Sequence, residues 1–288
     1  MKVGIVGLPN VGKSTLFNCL SQSKAQSENY PFCTIDPNVS IVNVPDLRLD
    51  KLSNLISPEK VIPTNVKIVD IAGLVKGASK GEGLGNKFLS NIRETDAIIH
   101  VLRCFDDPNI VHVDGKINPL SDKEVVEYEL ILKDIEIVDK RLDKIKKTLR
   151  SGSNESKKEI EVLQKVKLQL ENVSVIRSDY SDDQFEDFIK PLELISFKPI
   201  LYVCNVGEND VISGNNYVDQ VIKENENQDS EIIIISAKIE SEINELDSNE
   251  EKKIFLDDLG LEESGSNKLI RASYKLLNLH SYFTAGVK

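Results

Sequence analysis

Cysteine is scarce in this 288-residue chain, and its four copies, Cys19, Cys33, Cys104 and Cys204, are too widely spaced for a zinc-ligand pattern or a disulfide framework. Three of them fall in apolar segments that read as core, so a reducing cytoplasm is the expected compartment. Long apolar runs are missing too. No stretch approaches the roughly 20 residues that span a bilayer, and Met1, Lys2, Val3 enters an apolar strand at once, so no cleavable leader is expected. No membrane partner is expected. Positive charge is in deficit, with 36 Lys and Arg against 47 Asp and Glu and a net charge of -11. That balance argues against a protein that coats nucleic acid through its phosphates, and no sequence-specific DNA partner is expected. A local basic patch could still meet ribosomal RNA.

The length exceeds that of one average domain, so a large domain with an insertion, or two smaller domains, is expected. Apolar, β-branched runs at 3–6, 40–44, 66–69, 97–102, 200–204 and 232–235 are separated by turn and helix signals. This is the pattern of a doubly wound α/β fold with a mostly parallel sheet and helices on both faces. The interval between the fourth and fifth runs is too long for one crossover helix and predicts an inserted module. Within it, 123–149 and 157–170 keep apolar residues at three-to-four spacing, joined by the polar link Ser151, Gly152, Ser153, Asn154. An antiparallel helical hairpin or short coiled coil follows. The expected domains are 1–120 and 196–283 as two parts of one domain, 121–195 as the helical insertion, and 284–288 as the start of a truncated C-terminal domain. The last expectation rests on helical signal at 267–277 giving way to a strand-like run from Tyr282.

Directly after the first strand, Gly7, Leu8, Pro9, Asn10, Val11, Gly12, Lys13, Ser14 fits the G-x-x-x-x-G-K-[ST] pattern, followed by Thr15 and a helical segment. Glycines let backbone N–H groups wrap phosphates, the helix N-terminus adds positive potential, Lys13 reaches the β and γ phosphates, and Ser14 ligates Mg2+. A P-loop NTPase G-domain is therefore predicted. The third strand ends in Asp70, Ile71, Ala72, Gly73, where Asp70 would hold the magnesium shell and the Gly73 N–H would face the γ-phosphate. Gly77, Gly81, Gly83 and Gly85 then read as a loop that orders on that phosphate. Between the first helix and second strand, Thr34 is a further candidate ligand for Mg2+.

The fifth strand ends in Asn205, Val206, Gly207, Glu208, where a guanine reader carries Asn-Lys-x-Asp. The carboxylate is one methylene longer and the lysine has become Val206, so guanine selectivity should weaken. Asn205 and the Val206 backbone would face the base, and the backbone of Ser236, Ala237 and Lys238 would border it.

Taken together, these segments resemble the YchF type of Obg-like ATPases within the translation-factor-related GTPase class. The resemblance rests on the phosphate loop, on Tyr30-Pro31-Phe32-Cys33-Thr34-Ile35-Asp36-Pro37-Asn38, on 70–85, on Asn205 to Glu208, and on Ser236-Ala237-Lys238-Ile239-Glu240-Ser241-Glu242-Ile243. It implies ATP as ligand with GTP weaker, a helical insertion, a ribosome partner on the large subunit, and a C-terminal TGS domain that this sequence would lack. Leu74 stands where Ras-like enzymes carry a water-orienting glutamine, so turnover should be slow. His112, in the loop after the fourth strand, is the candidate replacement, a placement that the resemblance supports. Asn10 could lend its amide oxygen to a monovalent cation (K+), although a plain turn residue is the simpler reading. The expectation is a slow ATP-driven switch, with two rivals: a GTPase whose Glu208 still reads guanine, and a nucleotide-gated binding module with incidental hydrolysis.

Overall fold

In the computed structural model the described residues are 1–22, 38–71, 84–112, 115–148, 154–172, 180–226 and 230–285. Thr34, Gly73, Leu74 and the glycines at 77, 81 and 83 lie outside them.

All six apolar runs form strands: β1 (Lys2–Val6), β2 (Val39–Asn43), β3 (Asn65–Asp70), β4 (Ala97–Cys104), β5 (Ile200–Val206) and β6 (Ile232–Ile235). They make a six-stranded sheet in the order β2-β3-β1-β4-β5-β6. Every pairing is parallel except β2 with β3, which is antiparallel. Burial explains why these runs were legible. All eight residues of β4 are buried, as a strand covered on both faces requires, whereas β2 alternates buried and half-buried positions as an edge strand does. The strand order reverses beside β1, whose neighbours are β3 and β4, so the crevice at its C-terminal end is the place where such sheets bind ligands.

The helices are α1 (Lys13–Gln22), α2 (Leu47–Ile56), α3 (Leu84–Arg93), α4 (Pro119–Thr148), α5 (Asn154–Glu171), the single turn α6 (Asp182–Gln184), α7 (Asn216–Glu224), α8 (Ala237–Glu245), α9 (Asn249–Asp258) and α10 (Gly265–Leu276). Where periodicity sets the first insertion helix at 123, α4 begins at Pro119, because proline at the first helical position loses no intrahelical bond and starts the helix before its apolar stripe begins.

The chain divides into two compact units. One holds Met1–Ala72, Thr95–Leu120 and Pro199–Lys288, and carries the sheet. The other joins Ser121–Lys198 to Gly73–Glu94, and so reaches beyond the 121–195 read as the insertion. A strand from Tyr282 does not form among the described residues. Residues 279–285 are irregular, and the Arg48 guanidinium sits 5.1 Å from the centre of the Phe283 ring.

The second unit is held by Val138, Leu142 and Ile145 of α4 meshing with Leu163, Val166 and Leu170 of α5, with Tyr180, Ile189 and Leu194 closing the cluster. Asp134 lies fully buried on α4. Its carboxylate accepts from the Ile195 N–H at 2.9 Å, the Ser196 N–H at 2.7 Å and the Ser196 hydroxyl at 2.5 Å. Burial pushes its pKa up, against the opposing pull of those hydrogen bonds. Asp134→Ala would strand two backbone donors in an apolar setting. It is expected to cost about 2–4 kcal/mol, read as a lower urea midpoint, and an unchanged midpoint would mean that water replaces the carboxylate.

Candidate functional site

The phosphate loop leaves β1 and turns into α1 beneath a frame of hydrogen bonds from distant segments. Gly12 has φ +93°, a left-handed conformation that a side chain would strain, and a Cβ there would stand 2.2 Å from Asn205 Nδ2. Asn205 is buried and donates from Nδ2 to the Val11 carbonyl at 2.8 Å, while its Oδ1 accepts from the Ala237 N–H at 2.9 Å. The side chain expected to face a base therefore acts first as a brace. It ties the phosphate loop, the end of β5 and the start of α8 together. Sequence alone could not reveal this, because the partners are backbone groups 194 and 32 positions away.

Lys13 is the first residue of α1, and its ammonium pairs with the Asp70 carboxylate at the end of β3. The parallel register that sets Ile5 beside Asp70 brings them together. Both side chains are largely buried. Ser14 and Thr15 are exposed at the helix N-terminus, the end of a helix that favours an anion. Thr34 and Gly73, expected to join this group, lie outside the described residues. The donors present suit Mg2+: a carboxylate and a hydroxyl are hard oxygen ligands, and this ion characteristically takes one or two protein oxygens with phosphates and waters supplying the rest. Among the described residues no group of three or more His, Cys, Asp or Glu could hold a metal alone.

Asn10 takes φ 64° and donates from Nδ2 to the Val111 carbonyl at 3.0 Å. The residue read as a turn or a potassium ligand thus also joins the phosphate loop to the segment after β4. His112 in that segment is buried, whereas its neighbour Val111 is 75% exposed. A histidine in a surface loop would be expected to be wet, and this one is turned inward.

At the base side, Val206 is buried and Glu208 opens a 3-10 turn (Glu208–Asp210). The Glu208 carboxylate pairs with the Lys238 ammonium at 2.7 Å, both partly exposed. The hydrogen bond and charge of Glu208 hold the Lys238 pKa above the ordinary lysine value. The carboxylate read as a potential guanine partner is thereby engaged elsewhere. The Ser236 hydroxyl is buried and has no hydrogen-bond partner among the described residues.

Sequence reasoning passed over Arg103, which is 1% exposed on β4. A lone cation inside an eight-residue apolar strand was the available signal.

A family model described as "50S ribosome-binding GTPase" matches residues 2–165. Among curated proteins, the "Ribosome-binding ATPase YchF" of Bacillus subtilis (strain 168) is 52% identical over 288 residues, covering 99% of this chain and 78% of the relative. The protein of the same name from Escherichia coli O157:H7 is 49% identical over 287 residues, covering 100% and 78%. Among solved structures, that of the Schizosaccharomyces pombe YchF GTPase superposes with a TM-score of 0.87 at 38% identity, covering 100% of this chain and 78% of that one.

Proposed function

Because this chain belongs to the YchF family of P-loop nucleotide hydrolases, we propose that it binds and slowly hydrolyses ATP, in preference to GTP, with Mg2+, as a regulatory switch on the ribosome. The observation that carries this reading is the meeting of Lys13, the residue after the braced loop 7–12, with Asp70 at the switch point of the sheet. In the proposed site the loop N–H groups and Lys13 hold the β and γ phosphates, and Ser14, Thr34 and Asp70 manage the metal. Bound Mg2+ would neutralise charge developing on the transferring phosphoryl oxygens. The N–H of Gly73 would approach the γ-phosphate, and His112 would orient the attacking water or take its proton. A potassium ion near Asn10 belongs to the same proposal, with the amide oxygen as donor.

The names of the relatives support a ribosomal partner, and the "50S" of the matching family description supports the large subunit. Three buried free cysteines, Cys19, Cys104 and Cys204, support a reducing compartment such as the cytoplasm. Among the described residues no helix is long and apolar enough to cross a membrane.

The base preference turns on Glu208. Guanine would need its carboxylate, and that carboxylate would first have to leave Lys238. Adenine asks only for one donor and one acceptor, which the backbone at Val206 and Ser236 can offer while the Asn205 amide stays engaged with Val11 and Ala237. ATP is expected to bind about tenfold more tightly than GTP, the value of one or two exchanged hydrogen bonds. The pair Val206→Lys with Glu208→Asp should move the preference toward GTP and leave the magnesium dependence intact. Tighter GTP binding by the unaltered protein, in parallel calorimetric titrations at equal magnesium, would replace this reading with that of a GTPase. Equal ribosome affinity with ATP, with ADP and without nucleotide would remove the switch.

A further inference from the structure

Arg103 is a charged side chain sealed inside the unit that carries the phosphate loop, and the proposed chemistry gives it no task. Burying a guanidinium is costly, and an apolar residue of similar volume often serves stability as well. What the arginine adds is shape. Its Nε donates to the carbonyl of Phe105 at 3.2 Å, Nη1 to that of Ile110 at 3.0 Å, and Nη2 to that of Asp107 at 3.3 Å. Its carbon centre also lies 4.6 Å from the centroid of the Phe105 ring. One planar, rigid fork therefore gathers three carbonyls of the segment that follows β4, a task that a lysine's single point of charge cannot reproduce.

The rest of that segment is fixed around the same fork. The Asn109 N–H donates to Asp107 Oδ1 at 2.8 Å, and the Tyr217 hydroxyl lies 3.2 Å from both Asp106 oxygens. At its far end, Asn10 of the phosphate loop holds the Val111 carbonyl. His112 comes next, buried. His112 thus follows directly on a segment that an arginine shapes and an asparagine links to the phosphate loop.

The geometry points to Arg103 as a positioning residue that sets where His112 stands relative to the phosphate loop, and so tunes turnover without touching nucleotide. This inference rests on the reading of His112 as the group that acts on water. A displacement of about 1 Å in such a group slows catalysis by tenfold or more, whereas the phosphate contacts that set affinity lie elsewhere.

The test compares Arg103→Lys, His112→Ala and the double variant, measuring kcat for ATP hydrolysis and ATP affinity by calorimetry. Arg103→Lys is expected to lower kcat by about tenfold while ATP affinity stays within about twofold. The double variant should be no slower than His112→Ala, because an arginine that acts through the histidine has nothing left to position. A normal kcat in Arg103→Lys, a fall in affinity equal to the fall in rate, or multiplied losses in the double variant would each overturn the inference while leaving a slow His112→Ala to uphold the catalytic reading. Normal turnover by His112→Ala would overturn both. Should Arg103→Lys not fold, Phe105→Leu, which removes the stacked ring and keeps every hydrogen bond of the fork, is judged by the same split between rate and affinity.

Discussion

A Lys13→Ala protein is expected to turn over ATP on the order of a thousandfold more slowly, the scale of loss when a preorganised group facing transition-state charge is removed. Triphosphate binding should weaken as well, since the ammonium meets the β and γ phosphates in bound and transition states alike. The ion pair with Asp70 complicates the reading. Taking away one partner of a buried pair leaves an uncompensated charge, at a cost of about 3 kcal/mol, so the variant would also be less stable in the absence of metal. Lys13→Ala combined with Asp70→Asn separates the two effects. It should regain most of the lost stability, measured by thermal unfolding, and none of the turnover. Recovery of both would make the lysine a structural element, and near-normal hydrolysis by Lys13→Ala alone would remove the phosphate-loop assignment.

For His112→Ala, a loss of about a hundredfold in kcat is expected, within the range that general acid–base groups supply, with ATP affinity nearly unchanged. A group that orients water contributes when the water attacks and little while the nucleotide merely sits bound. The burial of His112 strengthens the expectation, because a water-poor setting raises the worth of each fixed dipole. Single-turnover kinetics beside calorimetry decide the matter. A normal rate would leave backbone groups alone to hold the water.

The strands were legible in the sequence for a physical reason. A parallel strand covered on both faces must be an almost unbroken apolar run, and β1, β4 and β5 are such runs. The phosphate loop was legible because its chemistry needs glycine, lysine and a hydroxyl at fixed spacing. What escaped depends on partners far away in the chain. Asn205 carries the right label for a base-facing residue, yet its amide is spent on Val11 and Ala237. Glu208 reads as an available carboxylate until Lys238 is seen beside it. Pairings of this kind leave no periodic trace, and nothing at Asn10 alone hints at Val111, 101 positions away.

The brace at Asn205 has a consequence for how the molecule is made. The phosphate loop leaves a translating ribosome well before its two hydrogen-bonded supports, which lie at the end of β5 and the start of α8. At about 5–20 residues per second, the 194 positions between Val11 and Asn205 take roughly 10–40 s to synthesise. Through that interval the loop has its sequence and lacks its frame. The frame is complete only once the fifth strand and the helix after the sixth have been made, roughly 10–40 s or more after the loop itself.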